Sequence, residues 1–131
     1  MVVKDNVPRY FNDLVVAVKK KYETVTYTQL KNNSPASFPH LYFHQLASFD
    51  VLPTLSNTHE GMDLNIEVQA YHNSGISEAR KFADFIKRVM TDTTYGMDFE
   101  CTHYSQVENA SDSKVIYFVL RFHKTETERE Q

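Results

Sequence analysis

Between Asp63 and Met90 the chain reads DLNIEVQAYHNSGISEARKFADFIKRVM, and its hydrophobic period changes midway. Leu64, Ile66, Val68 and Ala70 alternate with Asp63, Asn65, Glu67 and Gln69, the period of a strand with one buried face. The other face is expected to be wet or to meet another subunit. After the turn HNSG, Ile76, Ala79, Phe82, Ala83, Ile86, Val89 and Met90 recur at threes and fours and predict the buried stripe of a helix. Arg80, Lys81, Asp84, Lys87 and Arg88 fall on its outer face. Ser74 or Ser77 is the expected N-cap, with Glu78 in the first turn, and the helix should end near Thr91 to Thr94, before Gly96.

The same reading extends along the chain. Phe11, Leu14, Val15, Val18 and Tyr22 predict a first helix from Pro8 to Tyr22, with β-branched residues that make it dependent on packing. Thr24 to Leu30 suits a short edge strand, and Lys31 to Pro39 reads as a loop. His40 to Asp50 reads as a strand with Leu41, Phe43, Ala47 and Phe49 on one side and Tyr42, His44 and Leu46 on the other. Val51 to Met62, with Pro53, Asn57 and Gly61, is long for a hairpin loop. Two more strands are expected over Met97 to Val107 and Lys114 to His123, joined by the turn ENASDS. The predicted fold is α+β: a two-layer sandwich whose mixed four-stranded sheet, joined by the short edge strand as a fifth, carries two helices on one face in the order α-β-β-α-β-β. One domain is expected over residues 1–124, followed by a polar tail over 125–131. Whether the chain returns parallel or antiparallel through the second helix is left open by the pattern.

Composition narrows the function. With 131 residues, 41% hydrophobic and 13% aromatic, the chain is expected to form one core. A net charge of −3, with basic residues spread along the sequence, disfavours nucleic acid as the main ligand; Lys19, Lys20 and Lys21 suit a helix C-terminus. Cys101 is the only cysteine, which excludes an internal disulfide and a multi-cysteine zinc site and fits a reducing compartment. Neither a signal peptide nor a membrane-spanning run is visible, so a soluble protein made in the cytoplasm is expected.

Candidate chemistry is sparse. Six histidines invite a metal, but His40 and His44 on a strand stand about 13 Å apart on one face, too far to share an ion. His59, His72, His103 and His123 would need tertiary convergence. Cys101 could be a nucleophile beside His103, yet alternation groups it with Met97, Phe99 and His103, company that argues for packing. The acids Asp98 and Glu100, or Asp63 and Glu67, read as a solvated face, and Gly61, Gly75 and Gly96 are too scattered for a phosphate loop. No catalytic, cofactor-binding or metal-binding residue is assigned, and an enzyme is not expected. Tyr42, Tyr71, Tyr95, Tyr104 and Tyr117 lie in or beside strands whose other residues already supply a core, which fits either ordinary exposed tyrosines or a subunit interface.

The ordered set SFPHLYFHQL, LNIEVQAYHN, EARKFADFIKRVM and QVENASDSKVIYFVLRFH resembles the tail terminator, or tail completion, proteins of long-tailed bacteriophages, also described as head-tail joining or minor capsid proteins. The residues that carry it are Phe38 and Pro39 opening a strand, Ile66 to Tyr71, Glu78 and Ala79 opening a helix, and Arg121 and Phe122 in the last strand, over about Val7 to Lys124. The last strand, VIYFVLRFH, departs from the family in carrying bulky aromatics on both faces. The resemblance implies a structural virion protein forming a ring, a homohexamer, on the head-proximal end of the tail tube. Such a ring stops tube growth and offers a surface to the head connector. Its partners would be itself, the tail tube protein and the head-tail connector, with no membrane and no sequence-specific nucleic acid, although DNA could pass through the ring. It would assemble in the host cytoplasm.

On that reading Glu67, Gln69 and Tyr71 are expected near a subunit contact. The loop with Pro53, Asn57 and His59 is expected to order on tube or connector. The alternative is a small cytosolic ligand-binding or adaptor domain acting as monomer or dimer, with a pocket between helices and sheet lined by Phe43, Phe82 and Phe118.

Overall fold

The computed structural model describes residues 7–30, 35, 37–46, 61–108 and 114–127. Helix α1 (Val7–Lys21) leads to β1 (Thr26–Thr28), β2 (His40–Gln45) and β3 (Gly61–His72); α2 (Ile76–Thr91) and a 3-10 turn (Thr93–Tyr95) precede β4 (Glu100–Glu108) and β5 (Ile116–Thr127). The five strands form one sheet in the order β1-β2-β3-β5-β4. Only β1 and β2 run parallel; β2·β3, β3·β5 and β5·β4 are antiparallel. The path β3-α2-β4 is therefore a parallel return, with β5 inserted between the two strands. The fold is the expected α+β sandwich, and the fifth, short edge strand is present.

The core lies between the helices and one face of the sheet. Leu41, Phe43, Leu64, Ile66, Val68, Ala70, Phe118, Leu120 and Phe122 meet Tyr10, Leu14, Val18, Ala79, Phe82, Ala83, Ile86, Val89 and Met90 there. On α2 the alanines let the helix approach the sheet, and Phe82 fills the space beside them. Ile76 departs from the predicted stripe: it opens the helix, ahead of the sheet, and is 39% exposed. Tyr10 on α1, absent from the predicted stripe, is fully buried with its ring edge-on to Phe99 at 5.0 Å.

Neither Ser74 nor Ser77 caps α2. Gly75 occupies the N-cap with φ 96°, a conformation open to glycine, and no side chain caps the helix. His72 instead organises the turn. Its Nδ1 accepts from the backbone N–H groups of Asn73 and Ser74 at 3.0 and 3.3 Å. At the far end, Asp92 accepts from the Thr94 N–H at 2.8 Å to cap the 3-10 turn, and Gly96 closes it in the left-handed region at φ 76°. The Phe99 N–H then donates to the Met90 carbonyl, tying the segment back to α2.

Element ends differ from the pattern for traceable reasons. Met97 and Phe99 are buried in the core but precede β4, which begins at Glu100. Gly61 and Met62, expected in a loop, open β3, and β5 runs on to Thr127 because Gly61 to Leu64 pair with Lys124 to Thr127. A polar composition suggested a tail there, but it does not prevent backbone pairing. The Phe38–Pro39 peptide is cis.

Candidate functional site

Strand register builds a polar face on the side of the sheet away from the helices. His44, Glu67, Arg121 and His103 form one row across β2, β3, β5 and β4. Tyr42, Gln69, Val119 and Ser105 form the next, and His40, Tyr71, Tyr117 and Val107 the one after. The rows exist because each strand keeps its two-residue alternation through the shared register, so every odd or even set lands on one face.

Glu67 is the centre of this face and only 6% exposed. Arg121 Nε donates to its Oε1 at 2.9 Å, Gln69 Nε2 donates to its Oε2 at 2.6 Å, and His44 Nε2 lies 3.3 Å from Oε2. The Tyr71 hydroxyl donates to Gln69 Oε1 at 2.7 Å. A connected chain thus runs from Tyr71 through Gln69 to a carboxylate held by Arg121. Burial pushes the Glu67 carboxyl up, but the hydrogen bonds from Gln69, Arg121 and His44 outweigh it, so its pKa ends below the ordinary value. Tyr71 goes the other way: burial first, then Tyr117, Tyr42 and Glu67, raise its hydroxyl far above the usual tyrosine range. Glu67 stays ionised with both oxygens engaged and Tyr71 stays protonated. The arrangement holds shape and charge on this face.

Aromatic rings frame the network. Tyr71 stacks on Tyr117 at 4.5 Å, and Tyr42 stacks on His44 at 4.8 Å. Tyr42, Tyr71 and Val115 form a second small apolar cluster against Phe38 and Tyr117. Asp63, further along β3, accepts from Thr125 Oγ1 at 3.0 Å and lies 3.2 Å from His123 Nε2.

Of the residues expected near a subunit contact, Glu67, Gln69 and Tyr71 come together on this face, but their side chains are covered by the chain's own neighbours. What the row presents outward is Arg121, half exposed, part of His44, and the exposed His103 on β4. Pro53, Asn57 and His59 lie outside the described residues. The periodicity missed the partners His44 and Arg121, which sit 23 and 54 residues from Glu67 and meet it only through strand order. Of the tyrosines, Tyr42, Tyr71 and Tyr117 lie on this face, whereas Tyr104 turns to the helices and hydrogen-bonds Asp84.

Cys101 and His103 do not share a face. A β-bulge between them pairs Cys101 with Phe122 and His103 with Arg121, so Cys101 packs on the core while His103 faces outward. Strict alternation groups them because a bulge adds a residue without a sequence signature. Among the described residues no three His, Cys, Asp or Glu side chains converge as ion ligands. Phe43, Phe82 and Phe118, candidates for a pocket lining, are packed in the core at 0, 0 and 2% exposure. An open groove lies elsewhere, between the end of α1 and α2, lined by Lys21, Tyr22, Glu78, Lys81, Asp84, Phe85 and Arg88.

Two buried histidines set the response to acid. His40 and His72 are 5% and 9% exposed, and burial lowers the pKa of both below the ordinary 6.5. His72 Nδ1 is already committed as an acceptor, which favours the neutral ring. Below pH 6.5 the unfolded chain takes up protons that the folded chain refuses, so stability falls as pH drops through that value. Glu67 and Asp63, with lowered carboxyl pKa values, add a second loss below about pH 4.5, where the unfolded chain protonates first. A melting series from about pH 8 to pH 4 should show Tm declining in these two stages. A flat Tm across the upper stage would contradict the assignment of His40 and His72 as neutral groups.

No protein family and no curated protein matches the sequence. Among solved structures, the fold is similar to a chain in a structure described as the virion of a native gene transfer agent particle. The TM-score is 0.61 and the identity 11%, with 91% of each chain covered. At that identity the likeness establishes a shared fold.

Proposed function

We propose that the chain is a structural protein of a phage-type virion and, more narrowly, a tail terminator: a ring on the head-proximal end of the tail tube that ends tube growth and receives the head connector. The observation that carries the reading is the fold likeness over 91% of the chain to a component of a virion particle, joined to the sequence resemblance over about Val7 to Lys124. The sheet face away from α1 and α2 is consistent with it, because a closed polar network keeps a sheet surface rigid. No reaction takes part. Capping works by surface complementarity, and a head-to-tail contact whose rotation closes gives a ring that leaves no site for the next tube subunit.

The test is polymerisation of the tail tube subunit from the same phage, followed by electron microscopy. With the chain present, tubes should stop growing and carry a ring at one end. Tubes that elongate equally with and without it would overturn the capping role.

A further inference from the structure

The sheet has two edges, and they differ. At one end β1 is only three residues long, with Tyr27 (43% exposed) at its centre and Leu30 (80%) just beyond it. Lys19 lies over the Tyr27 ring at 5.3 Å, and Val16, on the same face of α1 as Lys19 and Lys20, is 48% exposed. At the other end β4 is nine residues long, ECTHYSQVE, and no described strand pairs with its outer edge. An edge of that length usually carries a lysine, a proline or an inward charge to block pairing. Here the only acids are Glu100 and Glu108 at the ends, and the exposed Thr102, His103 and Gln106 between them bring no lysine, arginine or proline. One bulge, beside Thr102, disturbs one end of the strand and leaves the rest regular.

Strand direction adds a second constraint. β1 runs with β2, against β3; β5 runs against β3; and β4 runs against β5. β4 therefore runs opposite to β1. In a cyclic assembly every copy points the same way along the axis, so β4 of one copy meets β1 of the next antiparallel, the geometry with the better hydrogen bonds. Pairing β4 with β4 across a two-fold axis would also be antiparallel, but it closes a dimer that leaves the β1 edge and the exposed Tyr27, Leu30 and Val16 uncovered.

We infer that β4 of one copy docks edge to edge on β1 of the next, continuing the sheet around a closed ring with Tyr27, Leu30 and Val16 covered at each junction. The inference rests on the ring reading proposed for this chain and names its interface. It also accounts for both edges at once, since a closed sheet has none.

Cysteine trapping tests it, in a Cys101→Ser background. Tyr27→Cys on β1 is combined in turn with Thr102→Cys, His103→Cys, Ser105→Cys or Gln106→Cys on β4, and light scattering is run in parallel. All these positions lie at strand edges or outside the main core, so folding is expected to survive. The expected result is a covalent ladder extending past the dimer for at least one pair, with neither single cysteine producing it. Dimers formed by a β4 cysteine alone would mean two-fold β4·β4 pairing and would overturn the inference. Rings seen by light scattering with no cross-link at any pair would also overturn it while leaving the ring reading in place. Monomers at every concentration, with no cross-link, would overturn both.

Discussion

Truncating Phe82 to alanine is expected to cost about 3–5 kcal/mol, the range for removing a fully buried aromatic from a packed core. Phe82 is wholly buried on α2 beneath the sheet. Its ring meets Tyr22 edge-on at 5.0 Å and His72 edge-on at 6.1 Å, so it joins the end of α1, the middle of α2 and the end of β3. The flanking Ala79 and Ala83 cannot extend into the space left behind, and the sheet beneath is held by hydrogen bonds to its neighbours, so the cavity cannot collapse cheaply. Since small domains are stable by only about 5–15 kcal/mol, the variant should unfold at far lower denaturant than the parent. Urea titration by circular dichroism measures it, and a loss under about 1 kcal/mol would mean that the helix–sheet contact is looser than described.

Replacing Glu67 by alanine should be the costliest change on the polar face. The substitution removes the acceptor for Gln69 Nε2, Arg121 Nε and His44, and it leaves the Gln69 amide buried without its carboxylate. Losing one partner of a buried ion pair typically costs about 3–5 kcal/mol. Arg121 is half exposed and can rehydrate, which lowers the expected loss here to about 2 kcal/mol. A double-mutant cycle with Arg121→Ala separates the pair from its surroundings: a coupling well above zero is expected, and strict additivity would mean that the Arg121 contact contributes nothing.

The contrast between these two residues shows what the sequence could reveal. Phe82 was legible because the helical period that places it on the buried stripe is local, as is the alternation that puts Val68 and Ala70 on the facing strand surface. The same local pattern put Glu67, Gln69 and Tyr71 together on the opposite face. It could not show that they are closed over by Arg121 and His44, because that contact depends on β5 lying beside β3 and β2 on its other side. Strand order is set by long-range pairing, and no short-range period encodes it. The bulge between Cys101 and His103 was invisible for a related reason: one unpaired residue reverses the facing of the later positions in the strand without altering composition. The helix cap failed differently. Two serines with good capping chemistry lost to Gly75, whose positive φ suits the turn that His72 holds.

A closed ring of this chain, as proposed, shows itself in the solution mass. Size-exclusion chromatography with light scattering across a concentration series, with negative-stain images of the largest species, should give a discrete assembly of about six subunits with a central hole, as closed cyclic symmetry requires. A fixed monomer or dimer at every concentration, with no ring in the images, would overturn the proposed ring.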